Sequence, residues 1–255
     1  MDLDERIISR AIIESELEAL HGSMDTDVAV VGGGPSGLAA ATFLGKAGYS
    51  VTLIEKNLSV GGGMWGGGMM FPRIVVQEEG RHLLDQFGIR YRSYSEGYYV
   101  ASSVEAVSKL ASAACDAGVE FLTLMTVEDV MVRGDTRLSG LVVNWTAVGM
   151  AGLHVDPLTL ACRYAIDATG HEAIVARLIA KKTDRVVVKG EGFMWAEKAE
   201  SMIIRHTREI FPGLVVTGMA ANAVSGEHRM GPVFGGMLLS GEYAASLVIR
   251  ELSAR

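Results

Sequence analysis

DVAVVGGGPSGLAAATFLGKAGYSVTLIEKN, residues 27–57, is the stretch that decides the fold. Val28–Val31 is a short unbroken apolar run, the pattern of a strand buried on both faces of a parallel sheet. Gly32-x-Gly34-x-x-Gly37 follows at once, then an alanine-rich helix over Leu38–Lys46 and a second strand over Ser50–Glu55. Two strands joined by a crossover helix make a βαβ unit. In that setting Gly32 permits the tight turn, Gly34 lets a pyrophosphate approach the backbone, and Gly37 lets the helix pack on the sheet. The helix N-terminus, with Ser36 in the turn before it as a further cofactor-binding candidate, presents free N–H groups and a positive dipole end to phosphates. Glu55 closes the second strand, where a carboxylate can accept hydrogen bonds from both ribose hydroxyls and would repel a 2′-phosphate. The expected ligand is the ADP half of a dinucleotide, and the motif does not distinguish NAD from FAD.

Outward from this unit, Lys56 adjoins the ribose acid, and GGGMWGGGMM (61–70), with Gly62 and Gly63, marks a place where a ligand or another backbone passes closely. Residues 4–20 carry apolar side chains near helical spacing and predict an amphipathic helix before the first strand, joined to it by the polar connector 21–26. A helix near 78–88, alternating residues near 91–100 and a helix over 103–117 come next. Runs at 119–124, 127–133 and 138–147 read as an antiparallel meander, 164–170 and 214–221 as further central strands, and 231–252 as a final helix. The expected architecture is one α/β domain over residues 1–255 with an N-terminal helix. It is a Rossmann-like dinucleotide-binding fold of the glutathione-reductase type that binds FAD or NAD, with a central parallel sheet and an antiparallel β meander.

Composition narrows the function classes. The chain has 255 residues, 31 glycines, 5 prolines and a net charge of -7, so there is no basic footprint for nucleic acid, and an anionic ligand must be held by local groups. Cys115 and Cys162 form no Cys-x-x-Cys pair, which argues against a disulfide scaffold or a cysteine zinc site. No apolar run reaches membrane-spanning length, and the first twenty residues lack the apolar core of a signal peptide. No membrane partner is expected, and the cytoplasm is the expected compartment.

Three segments of the second half carry polar residues in unexpected settings. AGLHVDPL (151–158) places His154 two residues before Asp156, IDATGHEA (166–173) puts His171 just after a strand-ending glycine, and GEHRMGPVFGG (226–236) holds Arg229 in a glycine-rich turn. An imidazole and a carboxylate suit a divalent metal of the Fe(II) class, with positions left for substrate. Arg229 has the bidentate fork that clamps a carboxylate. Each also has a bland reading: a structural histidine at a strand end, a turn-starting Asp-Pro, a surface arginine.

At these segments the sequence resembles the thiamine thiazole synthase family. VVGGGPSGLAAA, LIEKN with GGGMWGGG, VVNWTAV, HVDPL, DATGHEA and HRMGPVFGGMLLSG carry the resemblance, which runs from the N-terminal helix to the last one. It implies an enzyme that takes NAD as a substrate, releases nicotinamide, and builds a thiazole on the ADP-ribose remainder from glycine and a sulfur donor. One branch of the family sacrifices the sulfur of a cysteine just before the Asp-Pro segment. Here His154 stands at that position, which matches the branch that uses free sulfide with Fe(II) and turns over repeatedly. By the same resemblance Asp156 and His171 are the metal ligands and Arg229 holds the glycine carboxylate. The aspartate comes from a neighbouring subunit, so a homo-oligomer, an octamer in the family, is implied. Two roles fit His154: orienting an intermediate or shuttling protons, or filling the space of the missing cysteine. Buried among apolar neighbours, Cys162 would be inert. A flavin-dependent oxidoreductase of the same fold and a ribose-1,5-bisphosphate isomerase are the alternatives, the latter needing a Lys/Arg cluster beyond Arg229.

Overall fold

The buried, Val-rich run around Val28–Val31 lies at the centre of the main sheet, in a computed structural model that describes residues 3–134 and 136–254. Along the chain the first half comprises α1 (Glu5–Gly22), β1 (Asp25–Val31), α2 (Pro35–Lys46), β2 (Val51–Glu55), β3 (Arg73–Gln77), α3 (Arg81–Gln86), β4 (Tyr91–Ser95), β5 (Tyr98–Ser102), α4 (Ser103–Asp116) and β6 (Glu120–Thr123). The second half adds β7 (Met125–Arg133), β8 (Arg137–Trp145), α5 (Thr146–Met150), β9 (Leu158–Asp167), α6 (Ile174–Ala180), α7 (Ala196–His206), β10 (Arg208–Phe211), β11 (Leu214–Val216), α8 (Met219–Ser225) and α9 (Gly235–Ser253).

The main sheet runs β10-β11-β9-β1-β2-β6, parallel from β11 to β6, with β10 antiparallel on its edge. Alternate side chains of β1 serve two different cores. Val28 and Val30 pack with α2, α4 and α9, while Ala29 and Val31 face the core beneath β7, β8 and α6. Burial on both faces is why this strand shows no polar alternation. Helices α2 and α9 cross closely because Gly241 has no side chain: a Cβ there would lie 2.3 Å from the Ser36 carbonyl oxygen. A separate antiparallel sheet, β3-β5-β4, lies off the main one.

The fold class expected from the sequence is the one observed, with several local corrections. The run at 119–124 is not part of the meander: β6 pairs parallel with β2, and the antiparallel set is β7-β8-β9. Four-residue strands of this composition read the same in either orientation, so only the partner reveals which sheet they join. The strand expected over 214–221 stops at Val216, because Gly218 takes φ +60 and α8 begins at Met219. β3, α5, α6, α7 and β10 lie where the sequence pattern marks no such element. Helix α1 forms as expected, yet none of its residues is buried, and Ile7, Ile12, Ile13 and Leu17 are more than half exposed.

One partly buried carboxylic acid gives this fold a pH dependence. Glu200 of α7 accepts a hydrogen bond from Gln77 Nε2 (2.5 Å), while its Oε1 is buried without a partner. Burial, the largest influence, pushes its pKa up to about 7 against donors from Gly236 and Gln77. The folded state therefore prefers the neutral acid. Glu200 stabilises fully below its unfolded value near 4.5, and that contribution is lost as pH rises through about 7. Thermal melts of Glu200→Gln should show a gain of roughly 2 kcal/mol at pH 8 and little change at pH 5. An identical difference at both pH values would remove Glu200 from the account.

Candidate active site

The Gly32–Gly37 turn, the C-terminal ends of β1, β2 and β9, and the 226–236 turn enclose a cleft of ≈ 550 Å³. Its location, outside the carboxyl ends of parallel strands, is where open α/β sheets bind ligands. Gly32, Gly34, Ser36, Glu55, Lys56, Gly62, Gly63, His171 and Arg229 all line it. Gly37, His154 and Asp156 do not.

The three turn glycines act for different reasons. Gly32 has φ +101, and a Cβ there would meet the Ala168 carbonyl oxygen at 2.5 Å. At Gly37 a Cβ would lie 2.0 Å from the Gly32 carbonyl oxygen, so this glycine lets α2 close onto the turn and never faces the cleft. Gly34 is the opposite case: nothing of the protein lies within 4 Å of a Cβ there, and its φ of -73 suits any residue. Nothing in the chain itself requires glycine at 34, but a ligand backbone passing against it would. Gly62 faces Gly34, with its Cβ position 3.1 Å from the Gly34 Cα, and completes a cradle without side chains.

Glu55 is buried at the end of β2 and already braced. Its Oε2 accepts the Gly33 N–H (2.8 Å), and Oε1 accepts the Asn57 N–H (2.9 Å) and Nδ2 (2.7 Å). A carboxylate has about four acceptor positions, so about one is left. Gripping both ribose hydroxyls requires Asn57 Nδ2 to let go. Lys56 pairs with Glu172 at 2.8 Å on the cleft rim.

His171 sits in a 3-10 turn (Gly170–Glu172) after β9, held between Gly170 at φ +71 and the buried Ala173 at φ +43. A non-glycine residue in that region stores backbone strain of about 1–2 kcal/mol. Asp167 secures the turn from below: its carboxylate is wholly buried and accepts from Thr169 N (3.1 Å), Thr169 Oγ1 (2.6 Å) and Ala176 N (2.9 Å). The sequence reading missed Glu191. Its Oε1 lies 2.5 Å from His171 Nδ1 and its Oε2 lies 3.5 Å from Arg229 Nε. No local pattern could have revealed it, because the three residues are 20 to 58 positions apart in the chain.

His154 and Asp156 lie in an irregular, exposed segment between α5 and β9, anchored where Asn144 Nδ2 donates to the Val155 carbonyl (3.0 Å). Leu153 and Val155 are exposed beside them. Among the described residues no three His, Cys, Asp or Glu side chains are grouped to hold a metal. Cys162 is buried in β9, where desolvation pushes its thiol pKa up to about 12. Cys115 is exposed on α4, and neither cysteine lines the cleft.

A glycine turn between β1 and α2, an acid closing β2 and a cleft over the strand ends define an α/β protein of the Rossmann-like fold class. A geranylgeranyl bacteriochlorophyll reductase-like protein from Thermoplasma acidophilum shares this fold, with a TM-score of 0.56 at 15% identity over 90% of this chain and 79% of that one. The chain belongs to the Thi4 family, whose sequence model matches residues 9–234. It is 68% identical over 252 residues to the thiamine thiazole synthase of Methanoculleus marisnigri, covering 99% of each chain. It is 54% identical to that of Methanothermobacter thermautotrophicus, over 99% of this chain and 100% of the relative. The crystal structure of Thermovibrio ammonificans THI4 superposes with a TM-score of 0.96 at 48% identity, over 99% of this chain and 100% of that one. The protein is therefore an enzyme of thiamine biosynthesis, a thiazole synthase. Among the described residues no helix is long and apolar enough to cross a membrane.

Proposed function

We propose that this protein converts NAD, glycine and sulfide into an ADP-linked thiazole carboxylate, releasing nicotinamide, with Fe(II) bound and many turnovers per subunit. The observation that carries this reading is the sulfur question. His154 stands where a sacrificial cysteine would precede Val155-Asp156-Pro157, and neither Cys115 nor the buried Cys162 lines the cleft. Sulfur must then arrive from outside the chain.

In this reading the Gly34–Gly62 cradle and the first N–H groups of α2 hold the pyrophosphate, and Glu55 takes a ribose hydroxyl. The free Nη groups of Arg229 bind the glycine carboxylate. His171 and Asp156 would hold the iron. Imidazole nitrogen and carboxylate oxygen fit Fe(II), and with Nδ1 of His171 facing Glu191, Nε2 is the atom left to bind it. A ferrous ion there would act as a Lewis acid on a coordinated substrate. Asp156, outside the cleft of its own chain, would serve a neighbour's. The exposed Leu153 and Val155 beside it, and the uncovered apolar residues of α1, support assembly into a homo-oligomer.

Lys56 and Arg229 are the Lys and Arg side chains that line the cleft, and each already faces a glutamate. That leaves little to hold two phosphate monoesters and disfavours the ribose-1,5-bisphosphate isomerase. Incubated without oxygen with NAD, glycine, sulfide and Fe(II), the protein should form more than one adenylated thiazole per subunit. The Cys115→Ala/Cys162→Ala double variant should do the same within about twofold. A single turnover in the wild type, or product lost with Cys162 alone, would overturn the free-sulfide assignment.

A further inference from the structure

Glu191 is 13% exposed at its side chain, although its two partners, His171 (53%) and Arg229 (58%), are more than half exposed. Backbone hydrogen bonds fix its segment before any ligand arrives. Gly190 N donates to Ala223 O (2.9 Å), Gly192 N to Glu227 O (2.9 Å), Arg229 N to Phe193 O (3.3 Å) and Trp195 N to Arg229 O (3.1 Å). The carboxylate is thus a fixed post between two more exposed groups, with one oxygen turned to each.

We infer that Glu191 is the positioning residue of this site, setting both the tautomer of His171 and the presentation of Arg229. This rests on the proposed role of His171 as a metal ligand. A carboxylate oxygen 2.5 Å from Nδ1 accepts only if that nitrogen carries the proton, since two lone pairs at this distance repel. In the neutral imidazole, the form that binds a metal, the Nε2 lone pair is then free, and the ring cannot turn without breaking the bond. Outer carboxylates of this kind set ring orientation and ligand basicity in metal sites. The other oxygen engages Arg229 at Nε, so the two Nη groups remain for a substrate carboxylate approaching end-on. One side chain therefore couples the metal position to the amino-acid clamp.

Mn(II) binding to the full-length protein without substrates, followed by the resonance of free Mn(II), tests the inference separately from turnover. Glu191→Ala should weaken Mn(II) about 10–100-fold, with NAD affinity kept within about twofold. The apparent KM for glycine should rise through Arg229. Glu191→Gln, which can still accept from Nδ1, should recover most of the metal affinity. Glu191→Asp, with its carboxylate withdrawn by one methylene, should behave like the alanine variant and replaces it if that protein does not fold. Wild-type Mn(II) affinity in Glu191→Ala, alongside loss in His171→Ala, would overturn the inference and leave the metal role standing. Equal loss of NAD and Mn(II) affinity would reduce Glu191 to a general structural part. Unchanged Mn(II) affinity in His171→Ala would instead defeat the metal reading itself.

Discussion

Asp156→Ala and His171→Ala, each inactive alone, should regain activity when the two proteins are unfolded together and refolded as a mixture. Each substitution removes one of two proposed protein ligands, and loss of Lewis-acid stabilisation worth several kcal/mol slows turnover about a hundred- to a thousandfold. If the aspartate serves a neighbour's cleft, a mixed oligomer contains some sites with both residues intact. Such a site needs His171 from the Asp156→Ala chain and Asp156 from the His171→Ala chain. Random pairing in a symmetric oligomer places both in about a quarter of the sites. Recovery near that fraction, read as thiazole formed per subunit, is the expected result. No recovery from a mixture shown by light scattering to contain both chains would mean that each chain serves itself. It would also remove the shared metal site as a reason for assembly.

The second large effect separates two glycines of one motif. Gly37→Ala pushes a methyl group against the Gly32 carbonyl oxygen at 2.0 Å, and that oxygen belongs to a turn fixed by the Gly32 N–H to Ile54 O bond (2.8 Å). Overpacking costs about 1–3 kcal/mol where neighbours can give way, and a backbone carbonyl in a tight turn has little room to do so. A loss of about 3 kcal/mol or more, lowering the melting temperature by roughly 10 °C, is expected for a chain of this length. Gly34→Ala meets nothing in the protein but puts a poorer residue at the N-cap of α2, so a loss of about 1 kcal/mol is expected, well short of that for Gly37→Ala. Its methyl group projects toward the cleft and should weaken NAD binding at least about a hundredfold, measured by calorimetry. A Gly34→Ala protein that binds NAD normally would show that the pyrophosphate lies elsewhere. A Gly37→Ala protein with wild-type stability would show that the turn can shift to accept it.

These two predictions differ in how legible their residues were. Gly32, Gly34, Gly37 and Glu55 stand in one local unit whose spacing implies its own geometry, and the structure places Gly32, Gly34 and Glu55 on the cleft. Helices with long periodic faces, such as α4 and α9, were legible for the same reason: their burial pattern is written every three to four residues. Short strands were harder. β6 and β7 are nearly contiguous, yet one pairs parallel with β2 and the other antiparallel with β8. That choice depends on a partner 68 residues away for β6 (Thr52 beside Glu120) and across a hairpin for β7.

The glycine turn and the acid beside it follow from residues 27–57 alone, because a strand, a turn and a helix adjacent in sequence are also adjacent in space. The opposite wall of the cleft is different. His171, Arg229 and Glu191 meet only after β9, the 226–236 turn and the 190–195 segment have been packed side by side, and no periodicity connects them. Folding also divided the two candidate metal ligands, turning His171 into the cleft and leaving Asp156 outside it on an exposed segment with Leu153 and Val155. Local chemistry specified which groups were available. Long-range packing, driven by burial of the two apolar faces of one sheet, decided which of them converge.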